Sequence, residues 1–443
     1  MDDINRNRSI LNVVALLSLF LLMALMFSGC GGNGAQAGEG EEDLMPYATL
    51  LSYHNHEGYD EAVVYDPADT TRVLARYILV EESGSLPDTL PAGSQVLRIP
   101  LRSAIVDSQV YYSAVKETGG EEAMKGVMDA RYFTDRDVSR RLASGDLTET
   151  GSVQTPNNEK IIALGPDGIL LGYYQGMATT GIERLGFPVV KLADSGERTP
   201  LGRAEWIRFI GRLTGHGELA DSIFRTVAES YTSAAREART AGRHPKVLVE
   251  NLYNGVWYLP GGASYQARLI ADAGGDYLWK ENKDNGSIGL TFEQVLERGR
   301  DADIWLLKLF GTELDRQTLL GMDPRYGAFR AVDKGGVYYC NTASRPLYEE
   351  FPFHPDRLLA DYIEIFRGND TTLRYFSPMR EYRAPVRAYR IYTLSRHVNP
   401  TQSDSCFCLR AGCGSPFSGP YPYGTGGYIP TRGYFDTVRR RGS

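Results

Sequence analysis

Hydrophobic residues occur along most of the chain in short runs that alternate with segments of helical spacing. Residues 169–173 and 304–307 are apolar throughout, which is typical of strands buried on both faces of a parallel sheet. Residues 108–118, 265–273 and 356–366 instead place apolar side chains three and four positions apart, which predicts helices. Strands that alternate with helices indicate an α/β fold with parallel sheets covered on both faces.

This alternation occurs twice, which predicts an N-terminal lobe over residues 95–205 and a C-terminal lobe over 243–379. Between them, residues 206–242 are predicted to contain one long interlobe helix. The apolar stripe of that helix is Leu219, Ile223, Val227, Tyr231, Ala234 and Ala238. Over residues 218–240 it would be about 34 Å long at 1.5 Å per residue. We therefore expect two Rossmann-like lobes joined by a stiff helix, with a ligand cleft between them.

Residues 49–94 have a strand-like pattern, with a turn signal at Glu57 and Gly58, and are predicted to form an N-terminal β-rich extension. His54 and His56 are two positions apart and would share one strand face. A metal pair is one interpretation, but no further ligands lie nearby, so solvated strand residues are favoured.

The two predicted lobes share a local sequence pattern. Glu159 begins a short helix and Asp167 follows eight residues later, just before a strand; Glu293 and Asp301 repeat this spacing. Acidic residues in the first turn of a helix have an ordinary structural explanation, the helix dipole, and Thr291 begins a capping-box sequence. Matched positions on two lobes nevertheless favour a second role, in which arginines of a docking partner pair with both glutamates.

The N-terminus contains an apolar run over residues 10–27 that is followed by Ser28, Gly29 and Cys30. This pattern predicts a lipoprotein signal peptide over residues 1–29, with Cys30 as the lipid-bearing first residue of the mature chain. A plain transmembrane anchor is the alternative. Both interpretations place the remainder outside the cytoplasmic membrane, and the Gly-rich, acidic residues 30–48 would form a flexible tether.

Composition excludes several classes of protein. Hydrophobic residues make up 42% and charged residues 23% of the 443, which favours a globular fold. A formal charge of -7 argues against a nucleic-acid partner, and five cysteines argue against a disulfide scaffold. Residues 380–443 differ from the rest, because they are basic and rich in Gly and Pro, which predicts disorder. Cys406, Cys408 and Cys413 in this tail lack an obvious fourth ligand, so no metal site is predicted there.

Four groups of residues carry a family resemblance. They are 156–159 together with 162–170, 201–206, 257–262 and 273–279, and the similarity extends over about residues 96–379. These sequences resemble the iron-complex and vitamin B12 binding lipoproteins of ABC importers. The resemblance implies a non-enzymatic, monomeric cell-envelope protein without cofactor, whose ligand is an iron chelate or a corrinoid. It also implies that Glu159 and Glu293 dock on arginines of a permease dimer, which works with its own ATPase subunits.

Ligands of open α/β sheets bind outside the carboxyl ends of the strands. On that basis the expected ligand-binding residues are Arg102, Ser108, Tyr173, Tyr174, Trp257, Tyr258 and Tyr265. Aromatic faces suit a flat macrocycle or a catechol-bearing chelator, and Arg102 suits an anionic group. Packing in the core is an equally good explanation for each aromatic residue.

Two other functions remain open from the sequence. The first is a binding protein for free Zn²⁺ or Mn²⁺, although such sites need several histidines and carboxylates and the predicted cleft segments contain almost none. The second is an envelope enzyme with Asp107 and Ser108 as catalytic groups. The enzyme is disfavoured because no base lies nearby in sequence, and because nucleophile-elbow, His-Glu-x-x-His and phosphate-binding loop motifs are absent from the sequence.

Overall fold

The computed structural model describes residues 43–174, 181–240 and 242–380. The predicted signal peptide, Cys30, the first part of the tether, and the tail from residue 381 with its three cysteines lie outside these residues. Within the described ranges, no helix combines the length and the apolar surface that a bilayer crossing requires.

A four-stranded sheet begins the described chain. Its strands are β1 (Leu51–His56), β2 (Tyr59–Asp66), β3 (Asp69–Glu81) and β4 (Ser94–Ile99), in that spatial order. The first three are antiparallel neighbours, whereas β4 pairs with β3 in parallel. The predicted boundary at residue 95 was therefore wrong, because the backbone of β4 completes the N-terminal sheet rather than starting the next lobe.

Residues 43–48 pack against the protein body. Met45 is buried, and the backbone N–H groups of Tyr47 and Ala48 donate to Oε2 of Glu205 at 2.7 and 2.8 Å. A flexible tether that reaches residue 48 was thus a wrong prediction for this stretch. A carboxylate of the following lobe binds its backbone and holds it in place.

The N-terminal lobe contains a parallel five-stranded sheet in the order β7-β6-β5-β8-β9. The strands are β5 (Ala104–Val106), β6 (Met124–Val127), β7 (Thr148–Glu149), β8 (Gly168–Gly172) and β9 (Val189–Leu192). The connecting α-helices are α1 (Gln109–Glu117), α2 (Arg136–Ser144) and α3 (Asn158–Leu164). The side chains of Asp135 and Asn157 cap α2 and α3 by accepting N–H groups of the first turn. The sequence prediction of a parallel α/β sheet is confirmed here.

Two consecutive helices connect the lobes, α4 (Pro200–Leu213) and α5 (Gly217–Arg239). The buried residues of α5 are Ala220, Phe224, Val227, Ala228, Tyr231, Ala235 and Ala238. The predicted stripe was right at its centre, but Leu219 is 47% exposed. The face that packs against α4 begins one residue later, at Ala220, and periodicity alone does not indicate which neighbour a helix meets.

The C-terminal lobe repeats the arrangement with additions. Its strands are β10 (Lys246–Val249), β11 (Leu252–Tyr253), β12 (Val256–Pro260), β13 (Asp276–Tyr277), β14 (Ser287–Leu290), β15 (Ile304–Leu309), β16 (Val337–Asn341) and β17 (Ser377–Pro378). Its helices are α6 (Tyr265–Asp272), α7 (Phe292–Gly299), α8 (Arg316–Met322), α9 (Arg330–Asp333), α10 (Leu347–Glu350) and α11 (Pro355–Arg367). The main sheet has the order β13-β10-β15-β16-β17, and only β17 is antiparallel; β11, β12 and β14 form a small separate sheet.

The strand orders confirm an internal repeat. In both lobes the first strand of the main sheet has the second strand on one side and, on the other, the strand that follows a short helix (α3 or α7), because β6-β5-β8-β9 matches β13-β10-β15-β16. Helix α3 precedes β8 as α7 precedes β15. The sequence pattern that the two short helices share is therefore a consequence of their equivalent positions in two similar sheets.

The prediction that Asp167 and Asp301 are equivalent was wrong. Oδ2 of Asp167 accepts two backbone N–H groups just before β5, at 2.9 and 3.0 Å. In the other lobe the same bond is made by Asp303, whose Oδ2 lies 2.9 Å from the backbone nitrogen of Lys246 at the start of β10. Asp303 directly precedes β15, whereas Asp301 is exposed. The extra turn after α7 shifts the equivalent residue by two positions.

Candidate functional site

A pocket lies at the carboxyl ends of β5 and β6 and has a wall from the C-terminal lobe. It encloses about 310 Å³, including its solvent-open mouth. The lining residues are Asp107, Ser108, Gln109, Val110, Asp129, Tyr132, Phe133 and Tyr348. All but Tyr348 follow β5 or β6, and Tyr348 lies in α10. The edge of the sheet where α/β proteins bind ligands thus meets the second lobe here.

Asp107 is the most buried acid of this pocket, at 1% exposure. Its Oδ2 accepts the backbone N–H of Gly172, at the end of β8, at 2.8 Å. Its Oδ1 accepts no hydrogen bond from any residue that the structure describes. Burial raises the pKa of Asp107 to about 7; the N–H of Gly172 and the Ser108 hydroxyl oppose this rise, and the charges of Asp194 and Asp129 add to it.

A second buried acid, Glu349, approaches from the C-terminal lobe. Its Oε1 accepts a hydrogen bond from the hydroxyl of Thr134, and the Gln109 amide nitrogen, in the orientation that satisfies its partners, lies 3.0 Å from the same oxygen. The other oxygen, Oε2, has no partner within the described ranges. Burial raises the pKa of Glu349 above its ordinary value. Both lobes therefore bring a carboxylate oxygen without a donor to the region of the pocket.

Polar contacts join the two lobes. The guanidinium of Arg203 donates to Tyr265, and its Nε lies 2.9 Å from Oδ2 of Asp194. A second contact joins α11 to α1, since Nε2 of His354 lies 2.6 Å from Oε2 of Glu117. These polar contacts hold the lobes together, so separation of the lobes requires that the contacts break.

Of the predicted ligand residues, Ser108 lies in the pocket, where it is the N-terminal cap residue of α1. Tyr265 lies in the lobe interface, buried, with its ring stacked on Phe351 at 6.1 Å between centroids. Tyr258 is half-buried on β12 of the small separate sheet.

Tyr173 and Tyr174 directly follow β8. Tyr173 is half-buried and its N–H donates to the carbonyl of Leu192 at 2.7 Å, whereas Tyr174 is exposed. Neither residue lines the described pocket. Their predicted ligand contacts stay predictions.

Two of the predicted positions are corrected by the structure. Arg102 precedes β5, at the opposite end of the strand from Asp107, and its guanidinium pairs with Glu82 at 2.6 Å. Trp257 has no exposed surface and stacks on Trp305 at 5.7 Å between ring centroids. Arg102 therefore lies at the wrong edge of the sheet for this pocket, and Trp257 is a core residue.

Sequence reasoning missed the pocket residues Asp129, Tyr132 and Phe133 and the wall residue Tyr348. The first three follow β6, and the rule that ligands bind beyond the carboxyl ends of strands would have found them if it had been applied to this strand. Asp129 also has a left-handed backbone with φ 50°, a conformation that is uncommon outside glycine. Tyr348 carries no comparable signal, because its approach depends on how the two lobes pack.

Glu159 and Glu293 have equivalent local settings. Each is exposed and lies two residues after a helix cap, Asn157 for α3 and Thr291 for α7. The predicted capping box at Thr291 is confirmed. Glu293 differs in one respect, since Arg325 approaches its carboxylate at 3.3 Å. Both carboxylates are therefore available at the surface to a partner.

The described residues contain no group of three His, Cys, Asp or Glu side chains arranged to hold a metal ion. His54 and His56 lie on β1, opposite Glu61 and Tyr59 of β2. Nε2 of His56 lies 3.7 Å from Glu61. Of the two histidines, His56 thus has a carboxylate neighbour on the adjacent strand.

Residues 118–343 match the model of the periplasmic binding protein family. An uncharacterised lipoprotein of Methanocaldococcus jannaschii is 30% identical over 257 residues, which is 55% of this chain and 60% of that relative. A second lipoprotein of the same organism is 22% identical over 75% of this chain and 86% of its own length.

Two solved structures are more distant. A periplasmic haem binding protein of Pseudomonas aeruginosa is 17% identical, with a TM-score of 0.49 over 63% of this chain and 98% of its own. The periplasmic vitamin B12 binding protein of Vibrio cholerae is 14% identical, with a TM-score of 0.44 over 60% and 98%. At these levels the similarities do not bear on the ligand.

The family match spans half of the chain and includes most of both lobes, the two connecting helices and the pocket residues Asp129, Tyr132 and Phe133. Such proteins bind solutes outside the cytoplasm and are not enzymes. This chain belongs to the periplasmic binding protein family of ABC importers.

Proposed function

We propose that this chain is the lipid-anchored solute-binding subunit of an ABC importer and that it captures an iron complex (a siderophore or haem) or cobalamin. The observation that carries the proposal is the pocket at the carboxyl ends of β5 and β6, to which Tyr348 of the other lobe contributes. A pocket with walls from two lobes releases its ligand when the lobes separate, without unfolding of either. The family motifs in the sequence support a metal complex or a corrinoid as the ligand class.

Closure of the lobes supplies the capture step. The contacts of His354 with Glu117 and of Arg203 with Tyr265 join the lobes. Helix α5 is continuous over its length and packs along α4 and α11, which favours a small hinge motion over a large one. Ligand bound between the lobes strengthens this closed arrangement, because it touches both walls.

Delivery to the permease uses the two surface glutamates. Glu159 and Glu293 occupy equivalent helix starts, so a symmetric or nearly symmetric permease dimer would meet one carboxylate from each lobe. Arginine pairs with carboxylates through two parallel hydrogen bonds, which gives both affinity and orientation. The lipid on Cys30 would keep the protein at the membrane where this docking occurs.

The ligand can be identified by purifying the full chain in detergent and measuring the visible absorption spectrum and the mass of any bound small molecule. A ferric or corrinoid chromophore that is lost on denaturation supports the proposal. A bound free metal ion or a sugar would contradict the proposed ligand class.

Docking is tested by Glu159→Arg combined with Glu293→Arg. We expect uptake of the ligand into cells to be abolished, while the affinity of the purified protein for ligand stays unchanged. A loss of affinity would mean instead that these residues hold the ligand or the fold. Asp301→Arg changes an exposed acid close to Glu293 in sequence and serves as the control.

A further inference from the structure

Buried carboxylates in this protein are compensated almost everywhere. A basic side chain pairs with Asp66, Asp129, Asp194, Glu205, Glu250 and Asp272. Two or more backbone N–H groups donate to Glu197 and Asp361. Such partners are needed, because an uncompensated buried charge is costly. Among the buried carboxylates of the described residues, only Asp107 and Glu349 have neither kind of compensation.

Of these two exceptions, Asp107 is part of the pocket lining, and Glu349 is hydrogen-bonded to the lining residue Gln109 from behind the wall. Asp107 keeps Oδ1 without a donor, although its other oxygen is held by Gly172. Glu349 follows the lining residue Tyr348 and shares Gln109 with the pocket wall. A role in folding explains neither carboxylate, because burial of an amide, or of a carboxylate next to a basic side chain, would cost less free energy.

The remainder of the lining has the same electrostatic character. The second lining acid, Asp129, pairs with Arg131, whose side chain is 70% exposed and does not line the pocket. No lysine or arginine belongs to the lining formed by the described residues. Tyr132 and Phe133 add aromatic rings to the lining, and the Arg131 guanidinium already lies 4.7 Å from the centre of the Tyr132 ring.

We infer that the ligand presents a hydrogen-bond donor, on a cationic or neutral group such as an ammonium or an amide N–H, to Oδ1 of Asp107 and to Glu349. This inference rests on the proposed function and narrows its ligand class. Complexes with an anionic periphery, such as ferric tris-catecholates or haem with its two propionates, are disfavoured because they place negative charge against uncompensated carboxylates.

The test compares four probes by quenching of tryptophan fluorescence in the full chain. Ferrioxamine B carries an ammonium group and cyanocobalamin carries peripheral amides, whereas haemin and a ferric tris-catecholate are anionic. We expect ferrioxamine B or cyanocobalamin to bind, and both anionic probes to bind at least about tenfold more weakly.

Two variants test the contacts themselves. Asp107→Asn and Glu349→Gln keep the side-chain shape and remove the charge, and each should weaken binding of the preferred probe about tenfold to a hundredfold. Asp301→Asn removes an exposed charge outside the pocket and should leave binding unchanged. Circular dichroism and thermal melting verify that each variant is folded, and Glu349→Gln keeps the inference testable if Asp107→Asn is not.

The outcomes separate the two proposals. Preferred binding of haemin or the tris-catecholate overturns the inference but leaves the proposed function intact. Unchanged affinity in both pocket variants also overturns the inference. Binding of none of the four probes contradicts the proposed function, and the inference with it.

Discussion

Asp107 and Glu250 occupy the same place in the two lobes but have different surroundings. Each directly follows the first strand of its lobe, and each donates its backbone N–H to the neighbouring strand, to Leu170 and Leu306 respectively. The sheet registers pair Val106 with Leu170 and Val249 with Leu306, so the two sites are superimposable in topology. One acid of the repeat is neutralised within the protein, and the other is not.

The difference lies two residues further along the neighbouring strand. In the C-terminal lobe that position is Lys308, whose ammonium pairs with Glu250. In the N-terminal lobe the same register gives Gly172, which offers Asp107 only a backbone N–H. A Cβ at Gly172 would lie 3.0 Å from the hydroxyl of Tyr111, so the position is also too confined for a side chain without rearrangement. The same position in the two sheets thus holds a buried ion pair in the C-terminal lobe and an acid without a cationic partner in the N-terminal lobe.

The largest effect is expected from Lys308→Met. It leaves Glu250 buried without its cation, and removal of one partner of a buried pair typically costs about 3–5 kcal/mol. Urea denaturation would measure the loss in the free energy of unfolding. Combining Lys308→Met with Glu250→Gln should recover most of it; if the double variant is as unstable as the single one, the pair is not the cause.

Asp107→Asn should act in the opposite direction. Burial raises the pKa of Asp107 to about 7, so ionisation in the folded state lags behind that in the unfolded chain between about pH 4 and 7. Native stability from this group therefore falls as pH rises through that window, by up to about 4 kcal/mol for a shift of about three units. The variant should match the parent protein at pH 4 and exceed it at pH 8. Equal stability at pH 8 would argue against an uncompensated acid.

The variants Asp167→Ala and Asp303→Ala test whether these two aspartates have equivalent roles in the two lobes. Each removes a carboxylate that accepts backbone N–H groups at the start of its lobe's first strand, and we expect losses of about 1–2 kcal/mol in the free energy of unfolding. Asp301→Ala should change it by less than about 0.5 kcal/mol. A large effect of Asp301→Ala would restore the pairing expected from sequence spacing.

The smallest effect is expected from Arg325→Ala. Its contact with Glu293 is exposed to solvent, and such ion pairs contribute little to stability. Stability should be nearly unchanged, while Glu293 becomes fully available and the apparent affinity for the permease rises slightly. Weaker docking would indicate that Arg325 itself contacts the partner.

Much of the fold could be predicted because it depends on local patterns. The runs at 169–173 and 304–307 are strands, and the helix of residues 218–240 is present as α5. Pairing between distant segments was not predictable in the same way. The parallel pairing of β4 with β3 was not indicated by local periodicity, and the attachment of residues 43–48 depends on Glu205, far away in the sequence.

The candidate site was predicted less well for the same reason. Aromatic composition does not distinguish a ligand-facing ring from a core ring, and Trp257 is buried because Trp305 from another strand packs on it. Asp107 could be located from its place after β5, but its lack of a cationic partner could not, since that depends on Gly172 of a different strand. Whether a buried charge is compensated depends on residues that only the folded structure brings together.

The side chain that Gly172 lacks has a thermodynamic consequence for loading. A bound molecule that donates to Asp107 would compensate this carboxylate as Lys308 compensates Glu250 in the other lobe. Saturation with ligand should therefore raise the melting temperature more in mildly alkaline than in acidic buffer. Release of the ligand at the membrane would leave Asp107 uncompensated again and able to bind the next molecule.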